Sequence, residues 1–392
     1  MKKKILIYYH ENKLAPIGGP AGYLYNLKKE LDCRPNDELE ISFLPTVEET
    51  RTAHNFLKKH SAKRGQEFIR ALKMVNLYKK KTVVPETFLN YDAIHFHSTE
   101  DLYFCRDALK NYTGKVILTS HTPCASFMEK LDRLNPFDRK LLNGKLETLK
   151  LIDKYAFQRA DYIIFPCEEA EEPYYHTWKE YETIRDSRKY IYIPSGINAC
   201  CARVERSEIR KKYGIPQDAF VVSFAGRHNE IKGYADLKAI GEKLLEQNVW
   251  FLIAGNESPL KGLTHPHWIE AGWTKDPHSL IQAADLFILP NRETYFDLVM
   301  LEVLSLGQIV VASSTGGNRY FQKYGASGIL LYDDLQQAIE DVNAVRTWGT
   351  KDVMQAKYEN KTLFENHFTT AHFAKKYIKV LEEITHEKEH AN

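Results

Sequence analysis

The sequence predicts an α/β protein built from two doubly wound parallel sheets. Short apolar runs alternate with longer amphipathic segments along the whole chain, which is the pattern of strands and crossover helices. The alternation starts afresh after Pro194-Ser-Gly-Ile-Asn198, which we interpret as a linker because proline and glycine interrupt regular structure. With 392 residues, the chain is long enough for two domains that each bury a core of their own.

The apolar periodicity predicts the elements in order. The first series has strands at 5–9, 41–44, 93–96, 116–120, 162–165 and 190–193, and helices at 23–31, 53–77 and 146–158. The second has strands at 220–225, 250–254, 286–289, 309–312 and 328–331, helices at 234–246, 277–284, 298–306 and 335–345, and a last helix at 371–384. We expect an N-terminal domain over 1–196, a C-terminal domain over 197–367, and a cleft between their strand ends. The helix at 368–387 is expected to pack back on the N-terminal domain.

Composition excludes several classes of protein. The formal net charge is only +2, so no overall field favours a nucleic-acid partner. No apolar run approaches the roughly 18 residues of a membrane span, and the first apolar run, 5–9, is too short for a signal peptide. The six cysteines have no zinc-like spacing, which favours free thiols in the cytoplasm.

Two polar loops follow predicted strands of the second series. The first carries Arg227 and Lys232 next to Gly233, and two cations beyond a parallel strand can clamp a diphosphate. The second runs from Arg292 to Gly307 and brings Glu293 and Glu302 to either side of a helix start. A helix N-terminus binds anions because its first N–H groups lack partners within the helix. Taken alone, a surface Arg and Lys are more often simply solvated, and it is their position beyond a parallel strand that raises the case for a binding role.

These motifs resemble retaining glycosyltransferases of family 4, which have the GT-B fold of two Rossmann-like domains. The resemblance rests on Gly226-Arg227, Lys232-Gly233, the Glu293–Glu302 segment and Ala312-Ser-Ser-Thr-Gly-Gly317, with Ala283-Ala-Asp-Leu-Phe-Ile-Leu-Pro290 between them. Looser matches in the first half are Gly18-Gly19, Asp92-Ala-Ile-His-Phe-His-Ser98 and Leu118-Thr-Ser-His121. Together they extend over about residues 4 to 385.

The resemblance implies a donor site for a nucleotide diphosphate sugar, with UDP as the expected nucleotide and no other cofactor. Arg227 and Lys232 would neutralise the diphosphate, Glu302 would hold the ribose, and Glu293 would bond the sugar. His121 would face the donor sugar from the N-terminal domain. The remaining donor contacts would come from the backbone or side chains of Gly18, Gly19, Trp273, Thr294, Phe296, Asp297 and Leu298.

The spacing of the two glutamates departs from the family pattern. Seven residues usually separate them, whereas eight separate Glu293 from Glu302. Either the loop carries an extra residue and Glu293 keeps its role, or Thr294 stands in the first glutamate's place. Asp297 also replaces a glycine that is common in the family.

The expected reaction is transfer of a hexosyl or N-acetylhexosaminyl group to a cell-envelope glycan or a lipid-linked acceptor. The sequence has no Asp-x-Asp motif, so we expect transfer without a metal ion, and the resemblance implies retention of configuration. A nucleotide-sugar epimerase and a non-catalytic glycosyltransferase-like subunit remain as alternatives. His95 and His97 could suggest metal ligands, but they lack a recognised ligand spacing and fit a core or cleft lining better.

The segment 56–81 is strongly basic. It carries nine Lys or Arg residues, a single acid (Glu67) and interleaved apolar residues. A basic amphipathic helix can lie on an anionic bilayer, so this segment predicts peripheral contact with the inner face of the cell membrane. The alternatives are a solvated helix face or a basic wall that binds the acceptor.

Overall fold

The computed structural model describes residues 2–10, 14–15, 19–34, 36–44, 63–132 and 134–386. Gly18 lies outside this range, as do the first residues of the predicted helix at 53–77 and of the basic segment at 56–81. Among the described residues, no helix is both long enough and apolar enough to cross a membrane.

The chain divides into two compact units. The first comprises Met1–Phe165, Tyr174–Ile193 and Lys376–Asn392, and the second comprises Pro166–Pro173 and Pro194–Lys375. The sequence did not predict that the short segment Pro166–Pro173 is part of the second unit.

The first unit contains a parallel sheet of six strands in the order β2-β1-β3-β4-β5-β6. Its strands are β1 (Lys3–Tyr8), β2 (Leu39–Phe43), β3 (Ala93–Phe96), β4 (Lys115–Leu118), β5 (Tyr162–Phe165) and β6 (Tyr190–Tyr192). The central strand β3 is buried at every residue, as expected for a sheet covered by helices on both faces. The order reverses between β1 and β3.

Helices connect the strands of the first unit. They are α1 (Pro20–Asp32), α2 (Lys63–Val75), α3 (Thr99–Phe104), α4 (Ser126–Asp132), α5 (Pro136–Leu141), α6 (Asn143–Arg159), α7 (Glu172–Thr177) and α8 (Tyr181–Ile184). Short 3-10 turns of this unit lie at Leu77–Lys79, Glu86–Asn90, Ala108–Lys110 and Ser187–Lys189, whereas the turn at Glu168–Glu171 belongs to the second unit.

The second unit contains another parallel sheet, in the order β12-β11-β10-β7-β8-β9. Its strands are β7 (Val221–Ala225), β8 (Trp250–Ala254), β9 (Trp268–Gly272), β10 (Leu286–Leu289), β11 (Ile309–Ser313) and β12 (Ile329–Tyr332). Counted from β7, this is the 3-2-1-4-5-6 order of a doubly wound Rossmann sheet, and it reverses between β7 and β10. The prediction of two doubly wound α/β domains is confirmed.

The helices of the second unit cover both faces of its sheet. They are α9 (Arg206–Lys212), α10 (Tyr234–Leu245), α11 (Pro277–Ala283), α12 (Leu298–Ser305), α13 (Leu335–Thr347), α14 (Thr350–His367) and the first residues of α15 (Thr370–His386), with a 3-10 segment at Gly316–Tyr324. The rest of α15, from Lys376 onward, belongs to the first unit.

The predicted linker at Pro194–Asn198 is packed rather than loose. Ile197 forms a parallel bridge with Thr369, and its N–H donates to the carbonyl of Phe368 over 3.0 Å. A Cβ on Gly196 would lie 2.3 Å from the Thr369 carbonyl oxygen, so only glycine fits there. The chain therefore enters the second unit through a close backbone contact.

Candidate functional site

Two loops of the second unit meet where its strand order reverses. One follows β7 and carries Arg227 and Lys232, and the other follows β10 and carries Glu293 and Asp297. Since β7 and β10 are hydrogen-bonded neighbours, their carboxyl ends bring the two loops together. In doubly wound sheets, this reversal is the usual place for a ligand.

Gly233 allows these two loops to approach each other closely. Its φ of +62° lies in the left-handed region, and a Cβ there would be 1.5 Å from the carbonyl oxygen of Pro290. The N–H of Arg292 donates to the carbonyl of Ile231 over 3.0 Å and ties the loops a second time. In the predicted Lys232-Gly233 motif, the glycine is therefore needed for the close contact between the loops, and the lysine supplies the positive charge.

Both the backbone and the side chain of Lys232 are held by hydrogen bonds. Its backbone N–H donates to Oδ1 of Asn229 over 3.0 Å, and its ammonium pairs with Oδ2 of Asp297. The same carboxylate accepts from Nδ2 of Asn291. Both charged side chains are about one-fifth exposed, so the pair is accessible from solvent.

The charge on Asp297 is stabilised by its neighbours. Burial acts to raise the pKa of Asp297, but the Lys232 ammonium, the Asn291 amide and the charge of Arg227 lower it below its usual value. The carboxylate does not cap α12, although Asp297 occupies the N-cap position. Consequently the helix start is flanked by a carboxylate that is already engaged by a lysine.

Thr294 and Glu293 differ in their surroundings. Thr294 is 2% exposed, and its hydroxyl accepts from Nδ2 of Asn291 over 2.7 Å, whereas Glu293 is partly exposed. Gly316 and Gly317 pack against the carbonyls of Thr294 and Tyr295, where a Cβ would approach within 2.1 and 2.2 Å. Thr294 is therefore a packed residue of the loop, and the Gly316-Gly317 pair packs directly against the loop backbone.

The other predicted residues of this unit lie around the same sheet end. Phe296 is buried against Tyr320, Phe321 and Phe368, so only its backbone is available to a ligand. Leu298 opens α12 and is partly buried. Trp273 follows β9 directly and is 65% exposed, which leaves the indole ring accessible.

Glu302 lies on α12 beside a histidine that the sequence analysis did not select. Nε2 of His278, on α11, is 3.4 Å from Oε2 of Glu302. Asn291 is a second residue that was missed, although it holds both Thr294 and Asp297. A lone histidine at a helix start and a lone asparagine after a strand give no pattern in the sequence from which a site could be predicted.

In the first unit, His121 is partly buried and lies beside two fully buried histidines, His95 and His97. Its Nε2 is 2.8 Å from Nδ1 of His97, and His95 contacts the hydroxyls of Tyr377 (2.6 Å) and Thr119 (2.9 Å). Burial lowers the pKa of His121 to about 3, so the ring is neutral at physiological pH. His121 also has a positive φ of 59°, which is uncommon for a residue with a side chain.

Among the described residues, these histidines have no further ligands with which to hold a metal ion. No group of three or more His, Cys, Asp or Glu within the described ranges has the arrangement needed to hold a metal ion. His95 and His97 are fully buried, as the core interpretation of these residues predicts.

Gly19 precedes α1 in the same unit, with a φ of +77°. Its carbonyl accepts from the N–H of Tyr23, whose ring packs edge-on against His121 with centroids 4.6 Å apart. The contribution of Gly18, Gly19 and His121 to a donor held by the second unit stays a prediction.

Comparison with known proteins finds glycosyltransferases that are similar to parts of this chain, above all to its second unit. The family model described as glycosyl transferases group 1 matches residues 219–347. A D-inositol 3-phosphate glycosyltransferase from Catenulispora acidiphila is 29% identical over 155 residues, which cover 32% of this chain and 35% of that protein. UDP-Gal:alpha-D-GlcNAc-diphosphoundecaprenol alpha-1,3-galactosyltransferase from Escherichia coli is 22% identical over 193 residues, covering 45% of this chain and 50% of that one. The chain thus matches half or less of the length of these two relatives.

Solved structures match over nearly the whole chain. Sucrose-phosphate synthase from Thermosynechococcus elongatus aligns with a TM-score of 0.63 and 17% identity, covering 98% of this chain and 99% of that one. Anabaena HepE in complex with UDP and glucose aligns with a TM-score of 0.62 and 15% identity, covering 97% of this chain and 100% of that one. At such low identity, these alignments establish the fold. Residues 219–347 thus match the model of the glycosyl transferases group 1 family, and the two α/β units have the fold of GT-B glycosyltransferases.

Proposed function

We propose that this protein is a retaining glycosyltransferase that takes a sugar from a UDP-sugar without a metal ion. The observation that carries the proposal is the meeting of two loops at the strand reversal of the second unit. One loop supplies Arg227 and Lys232, and the other supplies Glu293 and the start of α12. Cations and helix-terminal N–H groups are the partners that a diphosphate requires.

The donor proposal draws on similar proteins. The galactosyltransferase relative is named for a UDP-sugar donor, and HepE was solved with UDP and with UDP-glucose. In this chain, Arg227 and Lys232 would take the diphosphate, Glu302 the ribose hydroxyls and Trp273 a face of the base. Glu293 would bond the transferred sugar, and His121 would approach it from the first unit.

The leaving diphosphate gains negative charge as the glycosidic bond breaks, and stabilising that charge lowers the barrier. Two side-chain cations can supply this stabilisation in place of a divalent ion. The neutral ring of His121 fits a role as a hydrogen-bonding partner of sugar hydroxyls rather than as a cation.

For the acceptor, we propose a cell-envelope glycan or a lipid-linked precursor. Relatives include a lipopolysaccharide core glycosyltransferase of Rhizobium meliloti and an O-antigen biosynthesis glycosyltransferase of Escherichia coli. Within the described part of the basic segment, α2 (Lys63–Val75) buries Ala71 and Val75 and leaves Ile69 half exposed next to the exposed Arg70. Such a face could rest on an anionic bilayer.

The non-catalytic subunit remains the second candidate because of two features of the site. Eight rather than seven residues separate Glu293 from Glu302, and Asp297 brings a carboxylate to the cation that would hold the donor. A protein that binds nucleotide but does not turn it over would fit both features.

Donor turnover separates the candidates. Purified protein would be incubated with UDP-glucose, UDP-galactose or UDP-N-acetylglucosamine in EDTA, with membrane lipids as acceptor, and released UDP would be measured. We expect acceptor-dependent UDP release with one donor and its loss in Lys232→Ala. Interconversion of UDP-sugars without UDP release would indicate an epimerase. UDP binding without any turnover would indicate the non-catalytic subunit.

A further inference from the structure

Three side chains from separate segments of the second unit converge beside the proposed ribose contact. Cys200 follows the packed segment at Pro194–Asn198, His278 lies in the first turn of α11, and Glu302 lies on α12. Nε2 of His278 is 3.4 Å from Oε2 of Glu302, and the His278 ring also interacts with the Cys200 thiol. His278 therefore links the carboxylate to a third segment of the chain.

Hydrogen bonds fix the relative positions of these segments. The N–H of Cys200 donates to Oγ of Ser305 over 2.7 Å, three residues beyond Glu302 on the same helix. The N–H groups of Arg203 and Val204 donate to Oγ of Ser279 over 2.9 and 3.0 Å, next to His278. The cluster of Cys200, His278 and Glu302 is thus a built arrangement rather than a chance contact of surface side chains.

The charges around His278 favour an imidazolium. Contacts with the Cys200 thiol and the Glu302 carboxylate raise the pKa of His278 to about 10. Asp276, on the same element, is committed to capping α11 through the N–H and hydroxyl of Ser279. On the neighbouring helix α9, Arg206 and Arg210 pair with Asp285. Cys200 and Glu302 are accordingly the titratable groups that act on His278.

We infer that His278 is a positioning residue of the donor site, which holds the Glu302 carboxylate in the orientation that accepts from the ribose hydroxyls. His278 approaches Oε2, and Oε1 remains as the second acceptor of a side chain that is 30% exposed. A carboxylate fixed by a neighbouring cation loses less conformational freedom when it bonds a ligand. This inference rests on the proposed function, because the ribose must first be bound at Glu302.

The sharpest test compares UDP with 2′-deoxy-UDP by isothermal titration calorimetry. We expect the wild-type protein to bind UDP about tenfold more tightly, because the 2′-hydroxyl donates to a charged acceptor. His278→Gln should bring this ratio close to one, as Glu302→Gln should, while His278→Lys should restore part of it. Cys201→Ser serves as the control, since Cys201 is exposed and lies outside the cluster, and it should keep the wild-type ratio.

A second measurement does not depend on ligand binding or on the folding of the His278→Gln variant. An NMR titration of the His278 ring should give a pKa near 10 in the wild type and a lower value in Glu302→Gln and Cys200→Ser. The inference is overturned if His278→Gln is folded and discriminates UDP from 2′-deoxy-UDP as the wild type does. It is also overturned if the His278 pKa is ordinary. Should the folded wild type bind neither nucleotide, the proposed function itself fails.

Discussion

The ammonium of Lys232 pairs with Oδ2 of Asp297, although the two residues are 65 positions apart in the chain. The pairing follows from the strand order, because their loops extend from the neighbouring strands β7 and β10. It means that the cation proposed to bind the donor's diphosphate is already engaged by a carboxylate. A diphosphate must compete with Asp297 for Lys232, and Asp297 repels the incoming charge.

The first prediction concerns this competition. Asp297→Asn removes the charge and keeps a side chain of similar size, so UDP should bind more tightly by several-fold to about tenfold. Calorimetric titration in EDTA measures the effect. Asp236→Asn is the matched control, since Asp236 pairs with Arg292 at the rim of the same loops and should leave the UDP affinity close to wild type. Weaker UDP binding in Asp297→Asn would mean that Asp297 assists the donor rather than competing with it.

The second prediction separates two arginines of the second unit. Arg227 is exposed, so Arg227→Ala should change the free energy of unfolding by no more than about 0.5 kcal/mol while weakening UDP binding by about tenfold. Arg210 is fully buried and pairs with Asp285. Arg210→Ala should cost about 3–5 kcal/mol because it leaves Asp285 with Arg206 as its remaining partner and removes the donor of the Ala283 and Ala219 carbonyls. Denaturant unfolding and calorimetry on both variants check the contrast, and a stable Arg210→Ala would contradict it.

The third prediction tests the contact between the two loops. Gly233→Ala must displace the Pro290 carbonyl, which lies 1.5 Å from the position of the new Cβ. Gly214→Ala has a similar φ of +68° but meets nothing within 4 Å, so it isolates the cost of backbone strain, about 1–2 kcal/mol. We expect Gly233→Ala to lower the thermal midpoint clearly more than Gly214→Ala and to abolish UDP binding. Equal thermal midpoints for the two variants would show that the two loops can move apart without loss of stability.

The fourth prediction concerns pH. Burial keeps the pKa values of His95 and His97 well below their usual value, and that of His121 is lowered to about 3. In the unfolded chain these histidines become protonated as the pH falls through about 6.5, whereas in the folded protein they stay neutral. Stability is therefore lost as pH falls below 6.5, by up to about 1.4 kcal/mol per pH unit for each histidine that stays neutral.

Denaturant unfolding between pH 5 and 6.5 measures this slope. His97→Gln should make it shallower, whereas His176→Gln should not, because His176 lies exposed on the surface. If the two variants give the same slope, the buried histidines are not its source.

The sequence predicted the strands best where apolar residues run without interruption. Leu286–Leu289 is buried at every position and was predicted with the observed bounds. The strand Trp268–Gly272 was missed because only its first residue is buried and because it contains an acid and a glycine. The helix Thr350–His367 was missed too, since its buried face is formed by Ala356, Asn360, Leu363 and Phe364 among many charged residues.

The site was predictable only in part, and for a physical reason. The type and position of Arg227, Lys232, Glu293 and Glu302 can be read from loops that follow apolar runs. Their partners cannot, because the contacts of Lys232 with Asp297 and of His278 with Glu302 depend on which strands are neighbours and on how the helices pack. From the sequence, Asp297 could be recognised only as a residue that stands where the family commonly has a glycine. The structure shows in addition that its carboxylate pairs with Lys232.

The central claim is that the two loops of the second unit bind a nucleoside diphosphate. Calorimetric titration of the purified chain with UDP, GDP, ADP, CDP and dTDP in EDTA tests it most directly, with Lys232→Ala and Glu302→Ala as comparison variants. The account predicts that UDP binds one to one in EDTA and that each variant weakens UDP binding at least about tenfold. A folded protein that binds none of these nucleotides, or binds UDP equally well in both variants, would contradict it.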